Sequence, residues 1–158
     1  RLGDGQRLLG MNDLFIGARS HVSARYALEV GGRREVQSSS GVLVATGAGS
    51  TGWLSSMFAM ASGLAAFTGG SVGAAPRLGW DDPRLAYVVR EPFASKSSQA
   101  TIVAGLLAAG ASLTIESHMP DGGVIFSDGV EHDALAFPSG TRVTIGAAAQ
   151  RTQLVVPG

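Results

Sequence analysis

The sequence contains no cysteine, which excludes disulfide staples, thiol redox chemistry and a cysteine-ligated zinc site. It has a single lysine, Lys96, beside eleven arginines, and these twelve cations balance twelve acids without gathering into a stripe. A general nucleic-acid surface is therefore not expected. Long apolar runs are also missing. The longest near the end, residues 102–115, is broken by Gly105, Gly110 and Ser112 and falls short of the roughly 18 residues a membrane span requires. No signal-peptide pattern is visible, so a soluble, cytoplasmic protein is expected, and an opening Arg1 rather than Met reads as a piece of a longer protein. The three histidines, His21, His118 and His132, lack metal-ligand spacing, and no metal ligand set is expected.

Glycine is plentiful, with 23 residues punctuating short apolar runs, and 158 residues suffice to bury a core as one domain. Residues 14–18 form a first strand-like run. Tyr26, Leu28 and Val30 alternate with Ala27 and Glu29 in a second, and Gly31-Gly32 reads as a hairpin turn into residues 33–39, with Arg33, Arg34 and Glu35 as a solvated edge. Strands are predicted again at 42–46, 85–89, 102–107, 113–116, 124–126, 134–137, 143–145 and 154–156. One segment reads as helix, with Trp53, Met57, Met60, Leu64 and Phe67 recurring at helical spacing as a buried stripe. Residues 68–83, rich in Gly, Pro and Ala, read as a long surface loop pinned by Trp80, of the kind that lines binding sites. The expected fold is mainly β, with two packed antiparallel sheets in a sandwich-like arrangement and one main helix after a glycine-rich turn.

That turn, Gly47-Ala-Gly-Ser-Thr-Gly52, is the feature best suited to a ligand. Glycines let a backbone approach closely, and a helix start offers free N–H groups with about half a positive charge. Ser50 and Thr51 add hydroxyls that serve equally as helix caps, and tight packing alone also explains such a turn. Gly47, Gly49 and Gly52 match the dinucleotide fingerprint G-x-G-x-x-G, but the second strand and the acid that should follow about 20 residues on are missing. A hydrolase reading, with Ser50, Asp128 and His132 in order, fails at the elbow, where Ala48 stands for Gly. A phosphate loop fails for want of a Lys.

Four anchors, in the right order between about Gly10 and Val156, resemble the carboxy-terminal domain of the NAD kinase family. Thr46-Gly-Ala-Gly-Ser-Thr-Gly-Trp53 resembles the hallmark TPTGSTAY, preceded by Gly41 and the same apolar strand. Asn12-Asp13 resembles an Asn-Glu pair, Arg90-Glu-Pro-Phe93 an Arg-Pro-Ile stretch, and Val124-Ile-Phe-Ser-Asp128-Gly129 a strand leading into Asp-Gly. The resemblance implies an ATP-dependent phosphotransferase that moves the terminal phosphate to the ribose 2′-hydroxyl of NAD, with Mg2+ accompanying the donor. It also implies a homo-oligomer and an amino-terminal partner half carrying GGDG, whose Asp serves as base and which these residues do not contain. Positioning and charge neutralisation are then shared with that half, so this chain binds and holds no catalytic residue.

Carried over position by position, the resemblance puts Asn12, Asp13, Ser40, Thr46, Gly49, Ser50, Thr51, Gly52, Trp53, Ser56 and Asp128 at the substrate. Asn12 would donate and accept and Asp13 accept from ribose or adenine groups, although a turn or strand edge accounts for the pair as well. Trp53 stands where the family has Tyr and suits either stacking or the helix stripe. Arg90 suits a structural ion pair. The departures bear on substrate choice. Ser40 replaces an Asp, which removes a carboxylate acceptor, and Gly47 and Ala48 replace Pro and Thr, which should loosen the loop. An acceptor such as another nucleotide, a sugar or a lipid alcohol is the alternative, as is a binding or assembly module without catalysis.

Overall fold

The computed structural model describes residues 1–153. Its elements in chain order are β1 (Asp13–Ala18), β2 (Ala24–Val30), β3 (Arg33–Ser39), β4 (Val42–Ala45), a 3-10 turn (Ala48–Thr51) and α1 (Trp53–Phe67). Then follow β5 (Leu85–Val89), β6 (Ala104–Leu107), β7 (Ser112–Ser117), β8 (Gly123–Ser127), β9 (Val130–Ala136) and β10 (Arg142–Gly146). The predicted strand at 154–156 lies outside the described residues. Two sheets form, in the orders β6-β5-β4-β1-β8-β9 and β10-β7-β2-β3, and every pairing is antiparallel. The mainly β, two-sheet, one-helix architecture expected from the sequence is the one observed. No parallel pair exists among the described strands, so the fingerprint glycines do not sit in a βαβ unit.

Local chemistry accounts for the registers. Gly31 and Gly32 both adopt positive φ, 57° and 75°, and so do Asp128 and Gly129, 54° and 72°. These are two-residue hairpin turns whose twist matches the flanking strands, and they fix Val30 opposite Arg33 and Ser127 opposite Val130. In β2, Tyr26 and Leu28 are buried while Arg25 and Glu29 face solvent. β4 is apolar at every position because both its faces are covered. Val42 and Val44 point between the sheets, joining Ile16, Tyr26, Leu28, Ile115 and Phe137 in the main core. Leu43 and Ala45 point the other way and pack beneath Leu54, Met57 and Leu78.

The helix departs from its predicted burial. Leu54 and Met57 are its buried residues, whereas Met60, Leu64 and Phe67 are 49%, 60% and 88% exposed. Only the first turns of α1 rest on the sheet, so a periodic stripe continues past the surface that would cover it. Glu35 departs in the opposite sense, being buried rather than a solvated edge. It accepts from Gln37 Nε2 at 2.9 Å and from the Thr101 and Ile102 amides at 3.1 and 2.9 Å. The segment so held covers edge strand β3, with the Phe93 and Gln99 amides donating to Ser38 and Val36 at 2.8 Å. Among the described residues no helix is long and apolar enough to cross a membrane.

Candidate nucleotide site

The glycine turn is clamped from two sides. A Cβ on Gly49 would lie 2.1 Å from the Asn12 carbonyl oxygen, and one on Gly47 would lie 1.8 Å from that of Gly79. Only glycine permits either approach. Thr46 Oγ1 donates to the Met11 carbonyl at 2.6 Å and accepts from the Gly49 amide at 3.2 Å, while Ser50 Oγ donates to Gly47 O at 2.7 Å. These two hydroxyls, expected at the substrate, are engaged in shaping the turn, and Ser50 is buried with no acid or histidine bonded to it among the described residues. Gly47 was expected to loosen the loop. It instead lets residues 78–80 seat directly on the turn.

At the helix start, Gly52 is the N-cap and no side chain among the described residues caps it, so the first-turn amides remain available to an anion. Thr51 is exposed, and its hydroxyl has no partner among the described residues. Ser56 Oγ donates to the Trp53 carbonyl at 2.7 Å, which leaves its lone pairs free to accept.

Asn12 and Asp13 enter β1 beside this turn, held by Asp128. The Asp128 carboxylate accepts from the Met11, Asn12 and Asp13 amides at 2.9, 2.6 and 3.1 Å. Through these bonds Asp128, itself exposed, gathers the 11–13 segment at the mouth of the turn. Asp13 is buried, shares the outer face of β1 with Phe15, and receives no donor on its carboxylate among the described residues. Burial first, and the Asp128 charge second, push the Asp13 carboxyl above its ordinary value. Unlike Asp128, it keeps both carboxylate oxygens free of donors among the described residues.

Next to Asp13 the outer face is aromatic. Trp53 stacks on Phe15 with centroids 5.6 Å apart, Phe126 lies 4.9 Å from Phe15, and the Arg90 guanidinium sits 5.2 Å over Trp53 and 5.6 Å over Phe15. Arg90 forms no ion pair among the described residues, so its packing on rings replaces the ion pair expected of it. The sequence reading missed this shelf, although Phe15 and Phe126 become register partners once the β1–β8 pairing is drawn. Gly41 permits it. Its φ is +112°, and a Cβ there would stand 2.6 Å from the Phe15 ring. Ser40 lies behind, its hydroxyl donating to Glu91, itself at φ +47°. On the other side of the turn a cavity of about 730 Å³ opens between Met11, residues 46–48, Trp80-Asp81 and residues 150–153.

No protein-family model matches the sequence, and a search of curated proteins finds no match either. Solved structures do match. An NAD kinase from Archaeoglobus fulgidus in complex with ATP superposes with a TM-score of 0.61 at 17% identity, over 94% of this chain and 49% of that one. The fold is that of an NAD kinase's carboxy-terminal domain. Yeast NADH kinase complexed with NADH gives 0.58 at 15% identity, over 90% of this chain. This chain thus spans about half or less, 49% and 36%, of the length of the kinases it resembles.

Proposed function

We propose that this chain is the nucleotide-binding part of an NAD kinase-like phosphotransferase that takes ATP as donor and the ribose 2′-hydroxyl of NAD as acceptor. The observation that carries this is the corner itself. Residues 11–13, the glycine turn and the uncapped start of α1 meet at one corner, where Asn12 lies on Gly49, in a fold shared with kinases solved with ATP and with NADH. In this reading the first-turn amides and Thr51 hold phosphate oxygens, Asp13 accepts a ribose hydroxyl, and Asn12 offers its amide to a base or sugar. Trp53 and Arg90 wall the same face. Base and phosphate loop come from an amino-terminal half with GGDG, and the whole enzyme is a cytoplasmic homo-oligomer.

Mg2+ would arrive on the donor. No group of three or more His, Cys, Asp or Glu side chains among the described residues could hold a metal, so this chain's side chains do not fit a resident ion. A sugar or lipid alcohol is the second acceptor reading, favoured by one observation. Where the family carries a carboxylate, Ser40 presents a hydroxyl already directed to Glu91.

Calorimetric titration of the chain with NAD, NADP and ATP tests the site without needing turnover. Dinucleotide binding is expected, with Gly49→Ala, Asn12→Ala and Thr51→Ala each weakening it, Gly49→Ala most because the Asn12 carbonyl must shift. Affinity unchanged in all three would reject this assignment.

A further inference from the structure

The loop of residues 68–83 is fixed to the glycine turn at its far end. Leu78 is 7% exposed and packs with Leu43, Leu54 and Met57, Ser50 Oγ approaches the Leu78 carbonyl at 3.4 Å, and the Gly79 backbone lies on Gly47. The very next side chain, Trp80, is 67% exposed. Its backbone is held while its indole packs on little, so the pinning expected of Trp80 is done by Leu78. That indole stands at the rim of the 730 Å³ cavity, a size ordinary for small-molecule sites. Two carboxylates follow it. Asp82 is engaged by Arg84 at 2.7 Å, and this pairing holds its carboxyl down at about 2, whereas Asp81 has no partner among the described residues. A large flat apolar surface beside a free carboxylate, in a cavity that residues 46–48 of the turn also line, matches the chemistry of a planar ring that carries N–H donors.

We propose that Trp80 is a stacking platform for a planar, amino-bearing base, with Asp81 accepting the N–H of its exocyclic amino or amide group. The proposal rests on the nucleotide-binding reading above and deepens it by placing one base in the cavity beside the turn. Adenine and the nicotinamide ring share this chemistry, and the probes below separate them. Base–aromatic stacking of this kind is sequence-tolerant and sensitive to removal of the ring.

The chain has two tryptophans, so the test follows both indole N–H resonances by NMR while NAD is added, with Trp80 assigned through Trp80→Phe. The Trp80 signal is expected to shift. Trp80→Ala should weaken NAD by about tenfold or more, in line with the loss of one stacked base, with Trp80→Phe retaining most of the affinity. Asp81→Asn should weaken it several-fold. AMP moving the Trp80 signal assigns adenine to the platform, and nicotinamide mononucleotide moving it assigns the other ring. NAD that binds Trp80→Ala as tightly as the parent chain, with the Trp80 signal still, overturns the stack and leaves the nucleotide site standing. Absence of NAD, AMP and ATP binding to the parent chain overturns both. Because the indole is exposed, Trp80→Ala should melt with the parent, and a matching thermal midpoint keeps the comparison valid.

Discussion

The two faces of the six-stranded sheet are cut from the same strands and finished differently. Inward, β1, β4, β5 and β8 close against the second sheet, and Tyr26, Phe137 and Ile115 are essentially inaccessible. Outward, α1 covers β4 and β5 with Leu54 and Met57, and then its apolar residues run on into solvent. The remaining outer surface carries the aromatic shelf and Asp13, whose carboxylate has no partner among the described residues. Stability resides in the sandwich, and the groups suited to a ligand sit on a face the sandwich does not need. The inner face can therefore stay closely packed while the outer one leaves the Asp13 carboxylate without a donor among the described residues.

Breaking the inner face should have the largest effect. Phe137→Ala is expected to lower unfolding free energy by about 3–5 kcal/mol, read as a fallen urea midpoint at unchanged slope. Glu35→Gln comes next, at about 1–3 kcal/mol, because the buried amides of Thr101 and Ile102 lose a charged acceptor. Burial alone would raise the Glu35 carboxyl, but donors from Ile102, Gln37 and Thr101, with Arg33 beside it, bring it below its ordinary value. Its contribution is therefore full above the unfolded pKa and lost as pH falls through the folded one. Melting curves of the parent chain and Glu35→Gln should converge toward acid.

The outer face should answer with smaller effects and, at one position, the opposite sign. Asp13 is pushed up by burial and by Asp128, so the folded chain holds that proton more firmly than the unfolded one and stability drops as pH rises through its range. Asp13→Asn should raise the neutral-pH melting temperature, by less than Glu35→Gln lowers it, while weakening dinucleotide binding in the same titration. A stability gain with affinity untouched would detach Asp13 from the site. Smallest of all, Phe67→Ala should change stability by no more than about 0.5 kcal/mol, its ring being 88% exposed.

Much of this contrast was legible in the sequence, because period and punctuation are local signals. Alternation marked β2, Gly31-Gly32 marked its turn, and the apolar run at 42–46 marked a strand. Depth was not legible. The stripe Met57, Met60, Leu64, Phe67 has the spacing of a buried face, but how far the sheet extends under it is set by β5 and β6, distant in sequence. Glu35 looked solvated because its partners, Thr101 and Ile102, lie more than sixty residues away. At the site, the glycines that allow close approach were identified from composition, but what approaches them was not. Asn12 and Gly79 are themselves chain, and the Phe15–Phe126 pair required the β1–β8 register before it could be seen.

Asp128 illustrates how narrowly one position can be constrained. Its left-handed backbone, φ 54°, is comfortable for Gly, Asn or Asp. Its side chain must also offer lone pairs to the Met11, Asn12 and Asp13 amides at once, which Gly cannot do and Asn does with a single oxygen, turning its NH2 toward other donors. Each demand alone admits several residue types. Their intersection leaves aspartate, so the hairpin tip and the entrance to β1 are specified by the same letter of the sequence.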